Sequence, residues 1–355
     1  MKLVAFHLLN DYSGSPKALR AVITGLRKRG VDVLLHTSRG GVLDTLDIPV
    51  RHFCYRFGGA ATLPLFLWAQ LRMFAASWRY IFVRPVFYVN TVLPVGAALA
   101  GRLSGQRVVY HYHEAVTAKG MAYRILGKAM EWLASDIICV SEYQRALLSR
   151  HRRVHVVPNA IPEEMRRRLK PDPEAAFGRK KVLMLSSLKT YKGTGEFLEL
   201  ARRMPQFRFE LVINDSPAHI GDSISAQTEV LPANLNIYPR QKDVCRFYNN
   251  ASVVVNLTDR HRFIETFGLT ALEGMGAGLP AVVPTVGGIA DLVEDGVNGY
   301  RIDVENLSDI ERAIGRLLTN KALYMRLSRG ALSTAGRYRQ EMTDKVIYSI
   351  LRNAL

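Results

Sequence analysis

Short apolar runs closed by turn-forming residues alternate with helix-period stretches along the whole chain, and that alternation leaves few architectures open. Met1 to Asn10, Val31 to His36, Val86 to Asn90, Arg107 to Glu114, Asp136 to Ser141 and Val154 to Val157 read as strands. So do Lys181 to Leu188, Phe209 to Ile213, Asn236 to Tyr238, Ala251 to Leu257 and Leu279 to Pro284. Between them, Ala18 to Leu26, Pro94 to Leu103, Glu142 to Arg150 and Thr194 to Met204 have the spacing of helices. Strand and helix in repetition build parallel sheets with helical crossovers, an α/β class of Rossmann-like domains.

At 355 residues the chain exceeds the usual single core, and 48% hydrophobic residues suffice for two. Residues 1–158 are read as the first domain and 174–337 as the second, with a C-terminal helix at about 338–355 able to pack back on the first. The hinge is placed at 159–173, where Pro158, Pro162, Pro171 and Pro173 bracket the charged run Glu163 to Lys170. Cys54, Cys139 and Cys245 are widely separated and form neither a disulfide framework nor a zinc pattern, which fits a reducing cytosol. The apolar run at the N-terminus is too short for a secretory signal. A net charge of +17 and a pI of about 9.9 attract polyanions, whether nucleic acid, anionic lipid or a phosphate-bearing substrate.

Several loops have the residue types of a binding site. Glu265-Thr-Phe-Gly-Leu-Thr-Ala-Leu-Glu273 sets two acids around Phe267 and Gly268, which open a short helix whose first amides, at Gly268, Leu269 and Thr270, lack intrahelical acceptors. Such a helix start suits an anion. In this reading Glu265 stands just ahead of the helix and Glu273 about two turns in. An ordinary surface helix with two glutamates would show the same spacing. Downstream, Thr285-Val-Gly-Gly-Ile-Ala-Asp291 reads as a second backbone-lined turn into a helix. Lys189-Thr-Tyr-Lys-Gly193 puts Lys192 at a strand-to-helix junction, where it can neutralise a diphosphate; a solvated loop lysine is the plain alternative. In the first half, Asp11-Tyr-Ser-Gly-Ser-Pro16 is a polar turn into a helix. His113-Glu114 end a strand there, with His111 on the same face.

The array from Glu265 to Tyr300, with Gly287-Gly288 and Asp295-Gly-Val-Asn-Gly-Tyr300, resembles the donor-binding half of retaining glycosyltransferases of family 4, as does Lys192-Gly193. The resemblance implies the GT-B fold, two Rossmann-like domains facing each other across a cleft. It implies transfer of a sugar from a nucleotide-sugar donor to a glycan or lipid-linked glycan acceptor, in bacterial LPS, O-antigen, capsule or exopolysaccharide synthesis. Glu265 would grip the sugar hydroxyls and His113 the sugar from the other domain, both catalytic through positioning and electrostatics. Gly14, Lys192, Gly193, Phe267, Gly268, Leu269, Thr270 and Glu273 would bind the donor, Glu273 through the ribose. Ser13-Gly14 stands where many members have Gly-Gly, and the arginine that usually precedes Lys-Gly falls on Ser187 or Ser186, with Lys189 nearby as a substitute. No Asp-x-Asp occurs, and His111 and His113 have no third ligand at suitable spacing. No metal and no cofactor are therefore expected, and leaving-group charge falls to Lys192 and helix amides.

Leu63 to Phe82 is apolar and aromatic but interrupted by Gln70, Arg72 and Arg79, which argues against a membrane span. It suits a helix with one face on the core, or one lying at a lipid interface with Trp68 and Trp78 at headgroup level. With Arg150, Arg152, Arg153 and the run Arg166 to Lys170, it suggests a cytoplasmic protein peripheral on the inner face of the plasma membrane, with an anionic surface as partner. A nucleic-acid-binding protein would share the charge, but no recognition motif or interleaved aromatics support it, and nucleic acid is not expected as a partner. A GT-B-like sugar-nucleotide epimerase would share the fold.

Overall fold

The computed structural model describes residues 1–59, 61–115, 120–148, 153–228 and 230–352. The chain forms two units, one of residues 1–159 together with 340 onward, the other of residues 160–339.

The first unit holds strands β1 (Lys2–Phe6), β2 (Asp32–Thr37), β3 (Val50–His52), β4 (Val86–Asn90), β5 (Val108–Tyr112), β6 (Asp136–Cys139) and β7 (Val154–Val156). All pair in parallel, in the order β3-β2-β1-β4-β5-β6-β7. Side chains alternate across β1: Leu3 and Ala5 meet the helices Gly14–Lys28 and Gln340–Arg352, while Val4 and Phe6 lie with Ala69, Met73, Ala97, Ala98 and Met130 on the opposite face. Burial on both faces is why β4 and β5 read as unbroken apolar runs. Each fully buried large side chain, such as Phe87, contributes about 1.5–3 kcal/mol.

The second unit holds β8 (Lys181–Ser186), β9 (Arg208–Ile213), β10 (Leu235–Tyr238), β11 (Val253–Val255), β12 (Ala281–Val283) and β13 (Gly299–Arg301), in the order β10-β9-β8-β11-β12-β13. Its sheet is also parallel and is packed by the helices Thr194–Arg203 and Leu307–Thr319 through Phe197, Leu200, Ile310, Ile314 and Leu317. Both sheets reverse strand order beside their first strand, between β1 and β4 and between β8 and β11. In open parallel sheets, ligands gather at the carboxyl ends of strands flanking such a reversal.

Residues 159–173, expected as the hinge, belong to the second unit from Ala160 on and include the helix Glu163–Arg168. Its arginines are engaged within that unit. Arg166 donates to the carbonyls of Ala335 and Tyr338 at 3.0 and 3.1 Å, and Arg168 pairs with Asp243. Arg150 and Arg152 lie outside the described residues. The helix from Glu142 ends at Ala146 rather than running to Arg150. The helix Thr62–Ser77 buries only Ala69, Met73 and Ser77, leaving Leu63, Leu67, Trp68 and Leu71 exposed.

Candidate functional site

In the second unit, two loops leave neighbouring strands at the reversal point. The loop after β8 makes a single 3-10 turn over Thr190–Lys192 and passes through Gly193, at φ +74°, into the helix Thr194–Arg203. A Cβ at Gly193 would stand 2.2 Å from the Leu257 carbonyl oxygen, so both the backbone angle and the space demand glycine. The loop after β11 is tied to the first. Asp259 N–H donates to Tyr191 O at 2.8 Å, Arg262 donates to Thr190 Oγ1 at 2.7 Å, and the Tyr191 and Phe263 rings stack at 4.8 Å. Lys192 Nζ lies 4.6 Å over the Phe263 ring, a cation on an aromatic face.

That scaffold delivers Lys192 to Glu265. The ammonium pairs with Glu265 Oε1, which also accepts from Thr258 Oγ1 at 3.0 Å and Asn256 Nδ2 at 3.5 Å. Burial alone would push the Glu265 carboxyl up, but the Lys192 charge and these donors outweigh it and hold the group below its usual range. Glu265 is therefore an anion at neutral pH, with its donors gathered on one oxygen. Gly287, at φ +106°, lets the downstream loop close on the Glu265 backbone; a Cβ there would stand 2.4 Å from Glu265 O, which accepts from Ile289 N–H at 3.4 Å. The Gly287-Gly288 turn thus serves to place Glu265. The helix it enters is a single 3-10 turn, Ala290–Leu292.

The helix after Glu265 spans Leu269–Gly276 behind Gly268, so the amides of Gly268, Leu269 and Thr270 precede its first bond, Leu272 N–H to Gly268 O. Glu273 is the fifth residue of this helix, about one turn in and not two. Its Oε2 accepts from the buried Tyr248 hydroxyl at 2.7 Å, which holds the carboxylate in place. Phe267 is 5% exposed, its ring edge-on to Tyr338 at 5.9 Å. Its side chain is core, leaving only its backbone for a ligand.

In the first unit, His113 follows β5, with its ring 4.1 Å from that of His111. His113 Nε2 donates to Asn90 Oδ1 at 2.9 Å, while His111 Nδ1 meets the Tyr88 hydroxyl at 2.7 Å. Burial holds His113 well below the usual imidazole range, with added opposition from His111 and His7, which burial lowers to about 3 and about 4. All three rings are neutral at pH 7. Gly14 begins the helix Gly14–Lys28 with no left-handed backbone. The turn before it is built by Asp11, whose Oδ1 accepts from Ser13 N–H at 2.9 Å and Ser13 Oγ at 2.5 Å. Among the described residues no group of three His, Cys, Asp or Glu side chains is placed to hold a metal ion.

The structure brings Lys192, Glu265, Gly193 and the helix start at Leu269 to one reversal point, and His113 to the carboxyl ends of β4 and β5. Sequence reading missed Asn256, Thr258 and the Tyr191–Phe263 stack in one unit, and Asn90 and His7 in the other. A usable signal exists for two of them: Asn90 ends β4 and Asn256 follows β11, the strands beside the reversals.

The chain matches the model of Glycosyltransferase Family 4 over residues 12–165 and that of Glycosyl transferases group 1 over residues 165–334. It is 32% identical over 189 residues to the D-inositol 3-phosphate glycosyltransferase of Acidothermus cellulolyticus, an alignment covering 49% of this chain and 41% of that protein. The chain thus spans about two-fifths of that curated relative's length. A glycosyltransferase of Haemophilus influenzae is 24% identical over 342 residues, 92% of this chain and 94% of its own. Among solved structures, Anabaena HepE in complex with UDP-glucose has a TM-score of 0.81 at 19% identity, over 100% of both chains. Two adjoining family models, two parallel Rossmann-like halves and that structural likeness agree: the chain belongs to the family 4 glycosyltransferases of GT-B fold.

Proposed function

We propose that the protein transfers a sugar, with retention of its anomeric configuration, from a nucleotide-sugar to a glycan or lipid-linked glycan acceptor in bacterial surface-polysaccharide synthesis. The observation that carries this reading is the Lys192–Glu265 pair at the second sheet's reversal point, beside the helix start at Leu269. Lys192 and the amides of residues 268 to 270 receive the diphosphate, Glu265 the sugar hydroxyls, Glu273 the ribose and His113 the sugar. Without donor, Glu265 already compensates the Lys192 charge, so an incoming diphosphate shares an ammonium that is held in place. Leaving-group charge is met by Lys192 and backbone dipoles, with no metal ion. HepE, solved with UDP-glucose, supports a nucleotide-sugar donor.

Thermal-shift screening of nucleotide-sugars identifies the donor, and NMR of the product reads the anomer. Activity is expected to survive EDTA. In Lys192→Ala, kcat/KM should fall by about 30- to 1000-fold, the loss of one charge-assisted contact worth about 2–4 kcal/mol. Strict dependence on added Mg2+, or an inverted product, contradicts the mechanism.

We place the protein peripherally on the cytoplasmic membrane face. Among the described residues no helix is long and apolar enough to cross a membrane. The outer face of Thr62–Ser77 presents Leu67, Trp68 and Leu71 with Arg72; Trp78, Arg79 and Phe82, 95% exposed, follow it. Apolar side chains enter the headgroup boundary while arginines meet anionic lipid, at about 1 kcal/mol per basic residue. Sedimentation with vesicles tests this: the protein should pellet with anionic but not neutral vesicles at low salt, and high salt should release it. A protein that stays in the supernatant with anionic vesicles is not membrane-bound, and its acceptor is soluble.

A further inference from the structure

Asn90 ends β4 at the first unit's reversal point and is completely buried. In register it pairs with His111 on β5, one step beyond the Phe6–Val89 pair between β1 and β4. Its amide makes three contacts: Nδ2 with Ser15 O at 3.2 Å and His7 Nδ1 at 3.0 Å, and Oδ1 with His113 Nε2 at 2.9 Å. A backbone carbonyl can only accept, so the atom facing Ser15 is the nitrogen and the atom facing His113 is the oxygen. The oxygen in turn can only accept, so His113 carries its proton on Nε2.

The next residue, Thr91, has φ +73°, a left-handed angle that a β-branched residue rarely adopts. Two bonds hold it, Thr91 N–H to His111 O at 2.9 Å and Val92 N–H to a carboxylate oxygen of the buried Glu114 at 3.3 Å. Strain maintained by its surroundings concentrates where geometry is used.

We propose that Asn90 is the positioning residue for His113, fixing it as the Nε2–H tautomer, in which Nδ1 can only accept a hydrogen bond. An acceptor suits a sugar hydroxyl and not a phosphate oxygen. The same amide, through Ser15 O, links His113 to the first turn of the helix Gly14–Lys28. The consequence for catalysis rests on the reading of His113 as a contact to the donor sugar.

The first test needs no variant. In protein labelled with 15N-histidine, the His113 ring should show the neutral Nε2–H pattern at pH 7. An Nδ1–H tautomer or an imidazolium there overturns the proposal. The second test is a double-mutant cycle of Asn90→Asp and His113→Ala. A carboxylate at position 90 favours the imidazolium, which turns Nδ1 into a donor. Asn90→Asp should therefore lower kcat about 10- to 100-fold at pH 6, recovering as pH rises through the raised imidazole pKa, with little change in KM for donor. In the His113→Ala background it should cost no more than about twofold, whereas full additive losses overturn the proposal. Wild-type turnover in His113→Ala alone would remove the catalytic reading of His113; the ring spectrum still decides whether Asn90 sets the tautomer.

Discussion

Glu265→Gln is expected to lower kcat about 100- to 1000-fold while nucleotide affinity stays the same or tightens. The direction follows from the pair: the wild-type carboxylate competes with a diphosphate for Lys192, and the amide competes far less. Glu273→Gln should behave in the opposite way, weakening nucleotide binding with a smaller loss of turnover, because Tyr248 holds that carboxylate whereas Lys192 pairs with Glu265. Initial-rate kinetics with calorimetric titration of nucleotide separate the two. Wild-type kcat in Glu265→Gln, or weaker nucleotide binding there than in Glu273→Gln, would refute the assignment. The pH dependence has a definite sign. Lys192 and the neighbouring donors depress the folded-state pKa of Glu265, so the pair's stabilisation is complete above the unfolded value of about 4.3 and disappears as pH falls through the lower folded value. The stability difference between wild type and Glu265→Gln should be flat from about pH 6 to 8 and converge in acid.

The second large effect is expected at Gly193. Alanine there would adopt a left-handed angle and meet Leu257 O at 2.2 Å, so the loop must shift. Unfolding free energy of the second unit should fall by about 3 kcal/mol or more, and nucleotide affinity by at least about tenfold, because Lys192 precedes the hinge of this turn. Urea denaturation and nucleotide titration check both. An alanine variant with wild-type stability and affinity would mean that Lys192 is not placed by this turn.

Much of the sheet framework was legible because burial on both faces leaves a plain signature. Val86–Asn90 is a strand over the residues its apolar run marks, and Val108–Tyr112 nearly so. β3 was not legible: Val50–His52 is three residues long, two of them exposed, at a sheet edge that packing specifies weakly. Glu265 and Lys192 were found through a resemblance of motifs, but their contact joins loops 73 residues apart and appears only once β8 and β11 are neighbours. Asn90 gave no local hint of its partners, since they depend on pairing with β1 and β5. Phe267 shows the same limit: its place at the start of the motif is plain in the sequence, but that its ring packs edge-on to Tyr338 appears only in the fold.

The helix Gln340–Arg352 completes a structure that begins some 340 residues earlier, with a consequence for how the protein is made. Ile347 and Leu351 share a core with Leu3, Leu19 and Val33, and Arg107 donates to the carbonyls of Ile350 and Leu351 at 2.8 and 2.9 Å. When residue 159 leaves the ribosome, that side of the first sheet has its helix Gly14–Lys28 but not the second helix that shields it. Synthesis of residues 160–339, the whole contiguous second unit, takes roughly 10 to 35 s more. The first unit therefore keeps that apolar surface open to chaperones throughout the synthesis of residues 160–339, until residues 340 to 352 arrive.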